Sequence, residues 1–246
     1  MSATGMVGLS AALVVGSEVV WAKGFGLANI ENDAPATKDT AFMLASVSKI
    51  VTATALMQLV EAGEFSMTTP INDLLDFEFD NPKLENEVVT VQHLLTHTSS
   101  IWDTWIWGTP GENNGIYTMG DSPLSLEDIV KGFFIPAGEW YDADNNFNDT
   151  IPGTDYKYSN LGIDLAGYIA EAKTGVRLDD HCDAHLFEPL GMVNTGWHLV
   201  DHDINNVAMP YGNNNEPYGI FGYPDYPSGH LRSSAYDLGL YLAALA

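Results

Sequence analysis

Basic residues are scarce in this chain: nine Lys plus Arg stand against 33 Asp plus Glu, a formal net charge of −24 at pH 7. Such a surface repels polyanions, which excludes nucleic acid and anionic membrane as partners. It also weakly disfavours anionic substrates, although salt screens that field within about 8 Å. Cysteine is nearly absent. With Cys182 alone, no internal disulfide forms, and the plain reading of that residue is a small half-buried hydrophobe. No apolar run comes near the length of about 18 residues that a membrane-spanning helix needs, so no span is predicted. The opening MSATGMVGLSAALVV lacks a basic segment, so no signal peptide is visible. A periplasmic or secreted location is expected if a leader was removed, and a cytoplasmic one otherwise. There is no G-x-S-x-G, which argues against an α/β-hydrolase elbow. What remains is a globular chain of 246 residues, 46% hydrophobic, long enough to bury a core as one large domain or two small ones.

Leu9–Val15 and Glu18–Phe25 are β-rich apolar runs joined by Gly16-Ser17, a pattern that predicts a hairpin with glycine first in its turn. Thr40–Leu44 reads as a short extended segment. From Ser46 to Gly63 the apolar residues Val47, Ile50, Val51, Leu56, Leu59 and Val60 fall all round a helix, which predicts a central helix capped by Gly63. Thr90–Leu95, Leu161–Thr174 and Ser234–Ala246 read as further helices. Trp102–Asn114 and Ala143–Pro152 read as long loops, which in compact domains are often functional. No repeat is present.

Ser46 and Lys49 stand three apart at a helix start, one turn apart on one face. The amine can reach the hydroxyl, and the helix N-terminus favours negative charge there. This is the geometry of a serine nucleophile activated by a lysine base. Tyr158-Ser159-Asn160 follows a Pro152-Gly153 loop signal and precedes a helix. A tyrosine there can shuttle protons, and the asparagine offers a donor and an acceptor to an amide-bearing substrate.

Five stretches then carry a resemblance: DTAFMLASVSKIVTATALMQLVEAGE, VTVQHLLTHTSSI, PGTDYKYSNLGIDLAGYIAEAKTG, LFEPLGMVNT and PSGHLRSSAYDLGLYLAAL. Together they resemble the serine β-lactamase and penicillin-binding protein superfamily, on its class C β-lactamase, D-peptidase and family VIII esterase side, in family order across nearly the whole chain. The resemblance makes Ser46 the acylated nucleophile, with Lys49 as its base. Tyr158 becomes the proton relay, Asn160 the residue that holds the substrate, and the Ser46 N–H one oxyanion donor. It implies no cofactor and no metal.

The family's third motif is a Lys-Thr-Gly or His-x-Gly triplet on a strand beside the nucleophile. Lys173-Thr174-Gly175 matches in letters, but it sits at a helix end, where the dipole explains the lysine and the cap explains the glycine. His230, in Ser228-Gly229-His230, matches the segment before the final helix instead. The expectation is that the chain stops before this motif and lacks the strands that carry it. Removing one oxyanion donor typically costs about 3–4 kcal/mol.

Rival readings are weaker. His93/His97, His181/His185 and His198/His202 are each four apart, but zinc needs three or four converging ligands, and HLLTH has no glutamate after its first histidine. Ser48 points away from Lys49 and reads as a packing or capping residue. Ser100 stands where the family usually has glycine. Trp102, Trp105, Trp107, Tyr117, Trp140 and Tyr141 read first as core and loop packing, and second as an aromatic wall over the acyl site.

The expected fold is α/β plus an all-α region, β-lactamase/transpeptidase-like, with the C-terminal strands of the sheet absent. Residues 1–63 and 205–246 are assigned to an α/β layer, and 64–204 to a mostly helical insert at the rim of the site. The expected function is acyl transfer to water by a serine hydrolase, on an ester, a β-lactam or a D-amino-acid peptide. The alternative is a truncated or split fragment, or a pseudoenzyme scaffold, that needs a C-terminal polypeptide or an oligomeric neighbour to complete its sheet.

Overall fold

The computed structural model describes residues 5–103 and 117–246. Strands β1 (Gly8–Val15) and β2 (Glu18–Asn29) open the chain, followed by β3 (Ala34–Pro35) and β4 (Phe42–Met43). Helices α1 (Ser48–Glu61) and α2 (Val91–Leu95) come next, then β5 (Thr118–Met119), α3 (Leu126–Phe134), α4 (Asn160–Thr174), α5 (Leu178–Cys182) and α6 (Glu188–Leu190). The chain ends with β6 (Phe221–Gly222), α7 (Tyr226–Gly229), β7 (Arg232–Ser233) and α8 (Ala235–Leu245).

β1 and β2 pair antiparallel as the hairpin, β3 joins the outer edge of β2, and β4 pairs with β7 while β5 pairs with β6. Gly16 holds φ +56° in the turn, a conformation that costs an L side chain but not glycine. A register shift opposite Leu13/Val14 leaves Val20 as a bulge residue. The bulge swaps the faces of β2. Val19 joins Ala12 beneath Gly239 of α8, where a Cβ on the glycine would stand 2.9 Å from Val19 Cγ2. Trp21 and Phe25 fall on the other face, opposite Leu13 and Leu9. That second face is open: Leu13 is 54% exposed and Trp21 45%.

The core lies among the helices. Leu56 and Ala55 of α1, Leu94 of α2, Phe133 of α3 and Leu165, Ala166 and Ile169 of α4 are all completely buried. Each of the leucine, isoleucine and phenylalanine side chains contributes roughly 1.5–3 kcal/mol by leaving water, and each alanine methyl less. α1 ends as the sequence predicts: Gly63 N–H bonds Val60 O and Glu64 N–H bonds Leu59 O, a Schellman motif with Gly63 at φ +80°. The Thr90 side chain caps α2 and Ser234 caps α8.

Two expectations are corrected. α1 is not buried all round, because Ile50 is 53% exposed and Met57 45%. It packs on α4, α5 and α7 along one side. The helix buried on every face is α4, in which each residue from Leu161 to Ala170 is buried. Apolar composition marks a helix that can be buried all round, but neighbours decide whether it is. Cys182 is fully buried rather than half-buried, and burial pushes its thiol pKa well up. Ser100 sits at φ +63°, a left-handed conformation that glycine adopts without strain.

Candidate active site

Ser46 lies in a single 3₁₀ turn, Ala45–Val47, immediately before α1. Ala45 holds φ +47°, a left-handed conformation that an alanine adopts only under constraint from its surroundings. Ser48 fastens this turn. Its buried hydroxyl donates to Ala45 O at 2.7 Å and accepts from Leu231 N–H at 3.0 Å. Lys49, in the first turn of α1, is nearly buried and surrounded by three oxygens: Ser46 Oγ at 3.4 Å, Asn160 Oδ1 at 2.6 Å and Ser228 O at 2.5 Å. The Tyr158 hydroxyl donates to Ser46 Oγ at 2.8 Å, and the Lys49 amine stands 4.9 Å from the centre of the Tyr158 ring. The four residues singled out in the sequence, Ser46, Lys49, Tyr158 and Asn160, therefore meet at one point.

Tyr158 is held from below by the HLLTHTS segment. The His97 ring lies 4.5 Å from the Tyr158 ring, and His97 Nδ1 accepts from Ser159 N–H at 3.2 Å. Burial first, and Lys49 next, lower the pKa of His97, which favours the neutral ring that this bond needs. His93 serves the fold, since its Nδ1 accepts from Thr90 N–H at the start of α2. Asn160 gains a second role. Its Oδ1 is taken by Lys49, so its amide N–H groups are what it can offer a substrate.

Several residues escaped the sequence reading. Asp103 caps α4 through Asn160 N–H at 2.6 Å, Leu161 N–H at 3.2 Å and the Ser159 hydroxyl at 2.7 Å. A carboxylate on a helix N-terminus needs no motif, only a fold that brings it there. Ser228 enters through its carbonyl, which no side-chain pattern can reveal. Gly167 of α4 permits this approach, because a Cβ there would stand 2.9 Å from the Pro227 ring of α7. A cavity of about 210 Å³ opens beside Ser46, walled by Tyr117, Asn160, Tyr223, Asp225 and Ser228. Tyr117 thus belongs to an aromatic wall. Trp140 instead stacks on Phe133, and Tyr141 packs near Phe147. Trp105 and Trp107 lie outside the described residues.

A larger cavity of about 500 Å³ lies elsewhere, lined by Asp121, Glu171, Arg177, Asp179 and His198. Its charges are occupied. Arg177 and His198 both bind Asp179, and although burial opposes it, these bonds hold the Asp179 carboxyl well below its usual range. Asp121 accepts from Leu199 N–H. Ser122 and Ser125 line this cavity with no lysine beside them, so the smaller cavity, with its Ser46–Lys49 pair, is the candidate site. Among the described residues no group of three or more His, Cys, Asp or Glu is placed to hold a metal. His230 is buried beneath Tyr223 and bonded to Phe221 O, and burial, then Arg232, pushes its pKa down to about 3.

A family model for beta-lactamase matches residues 1–246, the whole chain. The chain belongs to the beta-lactamase family. Esterase EstB of Burkholderia gladioli is 32% identical over 217 residues, 84% of this chain and 50% of that protein. The solved D-amino acid amidase of Ochrobactrum anthropi SV3, complexed with L-phenylalanine amide, is 26% identical with a TM-score of 0.76, over 99% of this chain and 66% of that one. The octameric penicillin-binding protein homologue of Pyrococcus abyssi is 28% identical with a TM-score of 0.73, over 99% and 53%. The fold of this beta-lactamase family member is therefore the β-lactamase/transpeptidase-like one. The chain spans about half the length of the curated relatives it matches.

Proposed function

We propose that this beta-lactamase family chain carries the nucleophile of a serine hydrolase that passes an acyl group to water through an ester on Ser46. Ser46 Oγ attacks the substrate carbonyl carbon and its proton moves to Lys49. Tyr158 delivers a proton to the leaving group as that bond breaks and regains one from Lys49, which returns to its neutral form. Water then attacks the acyl carbon, its proton passes through the same Tyr158 and Lys49 pair to Ser46 Oγ as the ester bond breaks, and the free acid leaves. The Ser46 N–H stabilises the oxyanion, and Asn160 holds the substrate. Substrates are an ester, a β-lactam or a D-amino-acid peptide. In this reading the cleft lies where residues 1–63 and 205–246 meet 64–204. The observation that carries the proposal is Ser46 Oγ held between Tyr158 Oη at 2.8 Å and Lys49 Nζ at 3.4 Å. A fluorescent acylating probe is expected to label the wild-type chain at Ser46 and to leave Ser46→Ala unlabelled. Equal labelling of both sinks the assignment.

A second reading is favoured by the open apolar face of the hairpin, where Leu9, Leu13, Trp21 and Phe25 stand 43%, 54%, 45% and 37% exposed. Here the unit is a scaffold that acquires activity when a C-terminal polypeptide or another copy completes its sheet, the P. abyssi homologue being an octamer. Ester hydrolysis by the 246-residue chain alone separates the two. Turnover at rates ordinary for an enzyme removes the scaffold reading.

A further inference from the structure

Three pairs of histidines stand four residues apart, and in two of them the ring nitrogens are engaged. His93 Nδ1 accepts from Thr90 N–H, and His97 Nδ1 accepts from Ser159 N–H. His198 Nε2 meets Asp179 and Arg177, and His202 Nε2 meets Gly196 O. His181 and His185 differ. His181 is 9% exposed, and its Nε2 is buried with no hydrogen-bond partner. A buried nitrogen left in that state costs about 1–3 kcal/mol until something meets it. The exposed His185 stands against it, with ring centres 4.6 Å apart and planes tilted by 39°. Among the described residues the His185 ring makes no hydrogen bond or ion pair.

The chain between them aligns the pair. His181 lies in α5, and a π-helical segment, Asp183–Phe187, joins α5 to α6. In it Glu188 N–H bonds Asp183 O, five residues back rather than four. Pro189 accounts for the wider turn. It has no N–H to offer His185 O, four residues earlier, and its ring crowds that carbonyl. Gln58 Nε2 of α1 donates to His185 O instead, at 3.1 Å. A wider turn leaves less rotation between residues four apart, so the two rings come nearly into line along the helix. Carboxylates crowd the same stretch. Burial first, then Asp201, Asp179, Asp180 and Glu188, push the Asp183 pKa up to about 6, a field that favours a cation. Burial, then His185, lowers the pKa of His181, which keeps its ring neutral and able to bind a metal. Cys182 takes no part, because it is fully buried and its thiol is held protonated.

We propose that His181 and His185 form a two-imidazole clamp for a divalent transition-metal ion, with Cu²⁺ the best fit. Two nitrogens on one ion stand within about 4 Å of each other, because each metal–nitrogen bond is about 2.0–2.1 Å. Rings centred 4.6 Å apart come within that reach when the exposed His185 turns about its own side-chain bonds, a motion that also uncovers His181 Nε2. Zinc asks for three or four protein ligands, and this pair supplies two. Cu²⁺ accepts a tetragonal site completed by water, and among the first-row divalent ions it binds nitrogen ligands most tightly. Nothing in the clamp depends on the reading of Ser46.

A Cu²⁺ titration of the full chain tests the clamp, followed by calorimetry and by electron paramagnetic resonance. The wild type is expected to take up one ion more tightly than the rest of its acidic surface does, with two nitrogens coupled to the copper spin. His185→Ala removes an exposed side chain and leaves the core intact. It should weaken that ion by about tenfold or more and remove one coupled nitrogen. His202→Ala, in the neighbouring pair, should leave the ion as tightly held as before. Equal binding by wild type and His185→Ala overturns the proposal, and so does a tight ion coupled to no nitrogen. Loss of the ion in His202→Ala but not in His185→Ala overturns it as well. Pro189→Ala restores the missing N–H with both histidines in place, and should weaken the ion several-fold. Unchanged affinity there overturns the part given to the π-helical turn.

Discussion

On α1 and α4, Leu56 and Leu165 are completely shielded from water. On the β1–β2 hairpin, Leu13 and Val15 stand 54% and 61% exposed. The two regions have similarly apolar sequences. The helices are covered because α1, α3, α4, α5 and α7 meet one another from several directions. The hairpin is covered on one face only, by α8, while its bulge delivers Trp21 and Phe25 to the other. The catalytic candidates lie on the covered side of this contrast. Ser46, Lys49 and Asn160 are borne by the packed helices and the turn leading into them. Their spacing can therefore be held rigidly even where the sheet presents an open face.

That contrast can be tested by substitutions of decreasing effect, read from chemical denaturation. Leu56→Ala should cost about 2–5 kcal/mol, since it leaves a cavity in a packed core. A loss below about 1 kcal/mol would show the helical region to be as loosely held as the hairpin. Gly167→Ala should cost about 1–3 kcal/mol by overpacking against Pro227. Because α7 carries Ser228, it should also slow labelling of Ser46. Unchanged labelling would mean that the α4–α7 contact does not set the position of Lys49. Ser125→Ala should cost about 1 kcal/mol. It removes one half of a reciprocal cap on α3, in which the Ser125 hydroxyl accepts from Asp128 N–H at 3.1 Å and the Asp128 carboxylate accepts from Ser125 N–H at 2.8 Å. Leu13→Ala should cost least, within about 0.5 kcal/mol. A cost equal to that of Leu56→Ala would show that the open face is covered in solution, by a second copy or by another polypeptide. The dependence of that cost on protein concentration would tell these apart.

Much of the local structure is legible without coordinates. Gly16 and Gly63 mark a turn and a cap because glycine alone enters those backbone conformations freely, and Thr90 and Ser234 mark helix starts because their hydroxyls satisfy free N–H groups. The SVSK and YSN motifs announce their meeting because each combines chemistry with a helix start. Other features are illegible for equally physical reasons. Asp103 reaches the start of α4 from another part of the chain. Ser228 contributes a backbone oxygen, which every residue possesses. Asp164 looks like an ordinary polar residue on a helix, and only the surroundings of α4 leave it without water. The apolar pattern of α1 signals the capacity to be buried, which is not burial itself.

The sequence by itself determined the turns, the caps, the family and the four candidate residues Ser46, Lys49, Tyr158 and Asn160, because these depend on backbone conformation and on side-chain chemistry within short motifs. Tertiary structure alone decided which apolar faces are covered, that α4 rather than α1 is buried on every side, and that the carboxyl groups of Asp164 and Asp225 are buried. Those outcomes depend on what lies across from a residue. No local pattern encodes that, because burial and charge are set by neighbours distant in the chain.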